Sequence, residues 1–170
     1  MRRVAVQDAN ILIDLFEAGL LQELFELDIE MHTTDLVLSE VLHEEQATAF
    51  DRLAKTGQLR VHPLPAIELA EVVATKQNAN KRLSLADCSA WYLAEHLKAT
   101  LLTGDGALRK IAEKAGLEVH GALWLLDEIL TAELIGSSQA CIALRLLMSR
   151  NPRLPEKECF ERLERWCGEE

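Results

Sequence analysis

Asp8, Glu40, Asp87 and Asp105 stand at the boundaries of apolar segments, in the settings V-A-V-Q-D-A-N, L-V-L-S-E-V, L-S-L-A-D-C-S-A-W and L-L-T-G-D-G. Carboxylates at strand ends and helix starts, rather than on solvated faces, are what a hard divalent cation needs when several elements supply its oxygens. The chemistry such a set supports is metal-dependent hydrolysis. Zinc chemistry finds no matching pattern, because the five histidines lack H-x-x-x-H or H-E-x-x-H spacing. The four cysteines, Cys88, Cys141, Cys159 and Cys167, form no C-x-x-C pair. They fall within apparent helices, where reduced, partly buried thiols are expected rather than disulfides.

Each acid also has a purely structural reading. Asp8 and Asp105 each follow a strand-like run directly, so either can cap the next helix. Ser84-Leu85-Ala86-Asp87 has the form of a reciprocal capping box. The two roles are compatible, since a first-turn carboxylate also faces the helix mouth. Glu40 is expected inside a helix from about Asp35 through Glu45, at the edge of the stripe of Leu36, Val37, Val41 and Leu42, whereas Glu44 and Glu45 read as a solvated face.

The elements that must position these acids alternate. Strands are expected at Val4 to Val6, Glu30 to Thr33, Leu59 to His62, Ala99 to Thr103 and Leu117 to His120, with helical patterns between them and Gly-containing turns. That order indicates a parallel sheet with helices on both faces, an α/β fold. Ligands of such sheets collect beyond the carboxyl ends of the strands, where Asp8 and Asp105 fall. Beyond Gly121 the pattern is wholly helical. The expected division is therefore residues 1–135 as the catalytic domain and 136–170 as a helical extension packed on the same domain or on a partner.

A chain of 170 residues, 49% hydrophobic and 27% charged, suits one folded domain. No signal-peptide core and no apolar stretch near the roughly 18 residues of a membrane span is present, so a cytoplasmic location is expected. The net charge of −10 argues against broad phosphate-tracking surfaces. Bound cations would offset the acidic cluster, and basic residues are grouped locally in K-Q-N-A-N-K-R, from Lys76 to Arg82, and in Arg109-Lys110.

The order and setting of Asp8, Glu40, Asp87 and Asp105 resemble the PIN-domain ribonucleases, many of which are VapC-type toxins of toxin–antitoxin pairs. The resemblance covers roughly residues 3 to 130, and the later helices look like the carboxy-terminal extension of one branch. It implies a three-layer α/β/α fold with a five-stranded parallel sheet, a site for Mg²⁺ or Mn²⁺, and endonucleolytic cutting of RNA. Asp8, Asp87 and Asp105 would be the metal ligands, with Glu40 binding directly or through water. Asn10 and Thr103 match polar positions that orient a carboxylate or a water, and Lys76, Lys81, Arg82 and Arg109 are candidates for RNA contacts. A cognate antitoxin and a homodimer are the expected partners, with no membrane. Ala9 departs from the hydroxyl residue that many relatives carry there.

Two other classes compete. A PIN-like interaction module with weak or no catalysis would use Trp124, Trp166, Leu146, Leu147 and Phe160 as an interface. A phosphatase with Asp8 as nucleophile would need a second acid two positions on, where this chain has Asn10.

Overall fold

Five short β-rich runs pair in parallel in a computed structural model that describes residues 2–79 and 82–168. They are β1 (Arg3–Gln7), β2 (Ile29–Thr34), β3 (Leu59–His62), β4 (Thr100–Leu102) and β5 (Val119–His120), in the order β3-β2-β1-β4-β5. The inner strands are buried on both faces, as parallel strands covered by helices must be: Ala5, Val6, Met31, Leu101 and Leu102 are all at most 1% exposed.

The strand order dictates where the helices lie. From β1 the chain steps outward to β2 and β3, then returns to the other side of β1 for β4 and β5. Right-handed crossovers therefore place the first helices and the later ones on opposite faces. The first set is α1 (Ala9–Glu17), α2 (Leu21–Glu26), α3 (Asp35–Ser39) and α4 (Glu44–Lys55). The second comprises α5 (Ala66–Asn78), α6 (Leu85–Leu97) and α7 (Gly106–Lys114). Contacts of α6 with α5 and α7, and of α1 with α2, follow this division, while the short α3 also packs against α6 beyond the strand ends.

Local sequence explains the boundaries. Asp8 is extended and accepts from the Ile11 N–H at 2.9 Å, which starts α1; Gly19, at φ 71°, turns the chain out after it. Ile11, Leu12 and Leu15 carry α1 into the core with no exposed surface, worth about 1.5–3 kcal/mol each. Ser84 and Asp87 form the reciprocal capping box of α6, with bonds of 3.0 and 2.9 Å.

One helix departs from expectation. The run from Asp35 to Glu45 is not continuous: α3 stops at Ser39, residues 41–43 are irregular, and α4 begins at Glu44. The Ser39 hydroxyl donates back to the Leu36 carbonyl at 2.6 Å, and the Glu40 and Val41 N–H groups take the tighter three-residue bonds to Val37 and Leu38. Both habits end an α-helix rather than extend it. The chain then turns so that Val41 is buried and Leu42 is 90% exposed.

The last helices are α8 (Ala122–Thr131), α9 (Ser137–Arg150) and α10 (Glu156–Cys167). α9 packs on α8 and α1, and α10 folds back on α9. Polar ties fix them: Arg162 forks onto Asp127 of α8, Arg150 meets Glu17 of α1 at 2.7 Å, and the Asn151 amide donates to Asp14 at 3.0 Å. Contrary to the expectation of reduced thiols, Cys141 and Cys167 form a disulfide, with Cα atoms 5.6 Å apart. The antiparallel return of α10 brings together two residues that spacing alone does not pair. Cys88 and Cys159 stay free and buried. Two residues expected at an interface belong to the protein's own core, Leu147 at 0% and Trp166 at 6% exposure, while Leu146 and Trp124 are half-buried and Phe160 is half exposed.

Candidate active site

Asp8 lies just past the end of β1 and is only 2% exposed. This is the point where strand order reverses, between β1 and β4. Its N–H donates to the Leu102 carbonyl at the end of β4 (3.1 Å), which locks the two strand ends side by side. Its carboxylate is held twice. One oxygen accepts from the Ile11 N–H and the other from the hydroxyl of Thr103, a residue with no exposed surface.

Thr103 has a second task, because its oxygen also accepts from the Asp105 N–H at 3.0 Å. Asp105, half-buried, caps α7 through a 2.8 Å bond from Leu108 N–H. Thr103 thus couples two of the expected acids directly. Asp87, half-buried, belongs to the first turn of α6, which packs against β1, β2 and β4. The next turn of α6 is tied to the end of β2 by the 2.7 Å contact between the Ser89 and Thr34 hydroxyls.

Burial pushes the Asp8 carboxyl up from 3.8 to about 7, against the two hydrogen bonds that favour its charge; the negative charges of Asp87 and Asp14 push the same way. Burial is the larger cause, and the neighbouring carboxylates add to it. Asp14, on α1, is the acid that sequence reasoning missed. Burial raises it to about 6 despite the Asn151 amide. Its sequence signal was an acid within Ile11-Leu12-Ile13-Asp14-Leu15-Phe16. Its partner, 137 residues away, left none.

The other expected residues belong to several elements. Glu40 is exposed at the end of α3, displaced from the helix edge assigned to it because that helix breaks at Ser39. Asn10 is exposed on the first turn of α1. Lys76, half-buried in the last turn of α5, is close enough to Cys88 for its charge to act on that thiol, one residue from Asp87. Arg82 is exposed ahead of α6, and Lys81 lies outside the described residues. Arg109 is braced by the Val119 carbonyl at 3.1 Å beside the β4–α7 turn.

The donor chemistry of Asp8, Asp87 and Asp105, all oxygen, suits a hard cation. The geometry is not closed around one: among the described residues no three His, Cys, Asp or Glu side chains are arranged to hold a metal ion. Asp87 and Asp105 each commit one oxygen to a helix cap, and Glu40 is exposed.

A parallel five-stranded α/β sheet with a buried aspartate at its switch point defines a class of fold, and comparison supplies the family. The chain belongs to the PIN domain family DUF3368, whose model matches residues 4–167 and so takes in α9 and α10. PIN domains are typically metal-dependent nucleases. The crystal structure of PAE2754 from Pyrobaculum aerophilum is similar at TM-score 0.51 and 21% identity, over 77% of this chain and 99% of that one. FitAcB from Neisseria gonorrhoeae gives TM-score 0.43 at 14% identity, over 68% and 95%. At 21% identity the likeness to PAE2754 concerns the fold alone. Curated proteins give no match.

Proposed function

We infer that this PIN domain is a metal-dependent endoribonuclease, working as the toxin of a toxin–antitoxin pair in the cytoplasm. The observation that carries the reading is Asp8: buried at the switch point, gripped by Thr103 and Ile11, and crowded by the charges of Asp87 and Asp14. Asp8, Asp87 and Asp105 would hold Mg²⁺ or Mn²⁺, with Glu40 reaching the site through water. Such an ion supplies an activated water and stabilises charge on the leaving oxygen. The chain's own groups do the positioning. Thr103 fixes the Asp8 carboxylate in one orientation and Asp105 through its backbone. Lys76, Lys81, Arg82 and Arg109 would meet RNA phosphates, and Asn10 would orient a water at the rim. A cognate antitoxin and a second copy of the chain are the proposed partners. No helix among the described residues is long and apolar enough to cross a membrane.

A second reading, an interaction module with weak or no catalysis, is favoured by the exposed Glu40 and by the open arrangement of the acids. One experiment separates the two. Purified protein is incubated with single-stranded RNA, structured RNA and DNA, with Mn²⁺, Mg²⁺ or chelator, beside Asp8→Asn. Cation-dependent RNA cleavage that the variant lacks is the expected result. No cleavage under any condition supports the interaction module, and cleavage by Asp8→Asn at the parental rate removes the ligand assignment.

A further inference from the structure

A cavity of about 770 Å³ opens beside the acids, and the hydrolysis reading leaves it without a role. Thr103, Gly104 and Gly106, which flank Asp105 in the chain, line it together with Asn151, Arg153 and Leu154 of the α9–α10 connection. Its size lies within the roughly 300–1,000 Å³ of ligand pockets.

Its chemistry narrows the occupant. In a chain of net charge −10, arginines outnumber acids here: Arg109, Arg153 and Arg162 line the space with Asp14 and Glu158. Arg162 is engaged by Asp127. Arg109 is held in place by the Val119 carbonyl, with Glu113 at 3.4 Å. Arg153 is exposed and enters none of the arginine ion pairs among the described residues. Guanidinium groups beside bare backbone suit a phosphate and its sugar. At Gly104 and Gly106 an added Cβ would meet nothing within 4 Å, so this backbone faces open space. The Asp14–Asn151 pair adds a directional polar wall. A paired helix cannot splay a unit sideways into such a recess, whereas a single strand can.

We propose that this cavity receives the nucleotide that flanks the cleaved phosphodiester of single-stranded RNA, with Arg153 and Arg109 on its phosphate. The α9–α10 connection is then a part of the substrate site. This rests on the ribonuclease reading, and the test keeps the two apart.

Binding of a fluorescein-labelled oligouridine is followed by anisotropy in chelator, and cleavage of the same probe is followed with Mn²⁺. Arg153→Glu and the cavity-filling Leu154→Trp are compared with Arg145→Glu, an exposed, charge-matched change on α9 outside the cavity lining. Melting curves verify that each variant folds. The expected result is an affinity loss of roughly tenfold or more for the two cavity variants, with KM raised more than kcat is lowered, and no such loss for Arg145→Glu. If wild-type protein does not bind the probe, if both cavity variants bind it as wild type does, or if Arg145→Glu weakens it equally, the cavity assignment is overturned. Asp8→Asn that still cleaves at the parental rate overturns the nuclease reading instead.

Discussion

The hydroxyl of Thr103 donates to the Asp8 carboxylate while its oxygen accepts from the Asp105 N–H, so one buried side chain sets the distance between two strand ends and two acids. Thr103→Val keeps the volume and removes both bonds. The expected cost is about 1–3 kcal/mol in urea unfolding, since two polar partners lose their bonds. RNA cleavage should fall by at least about tenfold, each 1.4 kcal/mol of lost orientation costing that factor. Thr103→Ser should restore most of both. Equal behaviour of the Val and Ser variants would show that the hydroxyl is not what matters.

Asp8 sets a pH dependence of definite sign. Below pH 3.8 the group is protonated whether the chain is folded or not, and its burial costs little. Between pH 3.8 and about 7 the unfolded chain releases a proton that the folded chain retains, so stability falls as pH rises. Above that window the full penalty of about 4 kcal/mol is present. Asp14, raised to about 6, adds a smaller contribution of the same sign. Asp8→Asn should therefore be more stable than wild type at pH 8, with the difference vanishing near pH 4. Denaturant titrations across that range check it, and parallel profiles for the two proteins would contradict the buried-charge account.

Cations should reverse that penalty. Mn²⁺ or Mg²⁺ at a hundredfold excess over its dissociation constant should stabilise the wild-type protein by about 2.7 kcal/mol. Asp8→Asn should show no such gain in thermal melts. A variant that responds to Mn²⁺ as strongly as wild type would place the cation elsewhere.

The Cys141–Cys167 bond closes a separation of 26 residues around the α9–α10 hairpin. Loop-closure entropy puts its contribution at roughly 3.5 kcal/mol. Thiol titration of denatured protein should find two free cysteines without reductant, Cys88 and Cys159, and four with it. Reduction should lower the melting temperature. Cys141→Ser that melts where oxidised wild type does would show that helix packing alone holds the hairpin.

Much of this molecule was legible in its residues. All five strands, the capping box at Ser84 and Asp87, and the placement of Asp8 and Asp105 after strands follow from local alternation and cap chemistry, which short windows of sequence carry. What failed was non-local or finely balanced. The helix through Glu40 kept its apolar spacing past Ser39, but a side-chain bond of Ser39 and two tightened backbone bonds ended it. The disulfide and the Asp14–Asn151 contact depend on how α10 and α9 return to the domain, and no periodicity encodes that. Leu147 and Trp166 looked like interface residues because an unpartnered helix and one buried against its own neighbours show the same stripe.

The bond from Asn151 to Asp14 joins the last third of the protein to its first helix. On a ribosome, positions 8, 87 and 105 are all made before position 151 emerges. At roughly 5–20 residues per second, the gap after position 105 lasts about two to nine seconds. Through that interval the growing chain holds every acid of the centre but lacks the wall beside it, so the recess takes shape only late in translation.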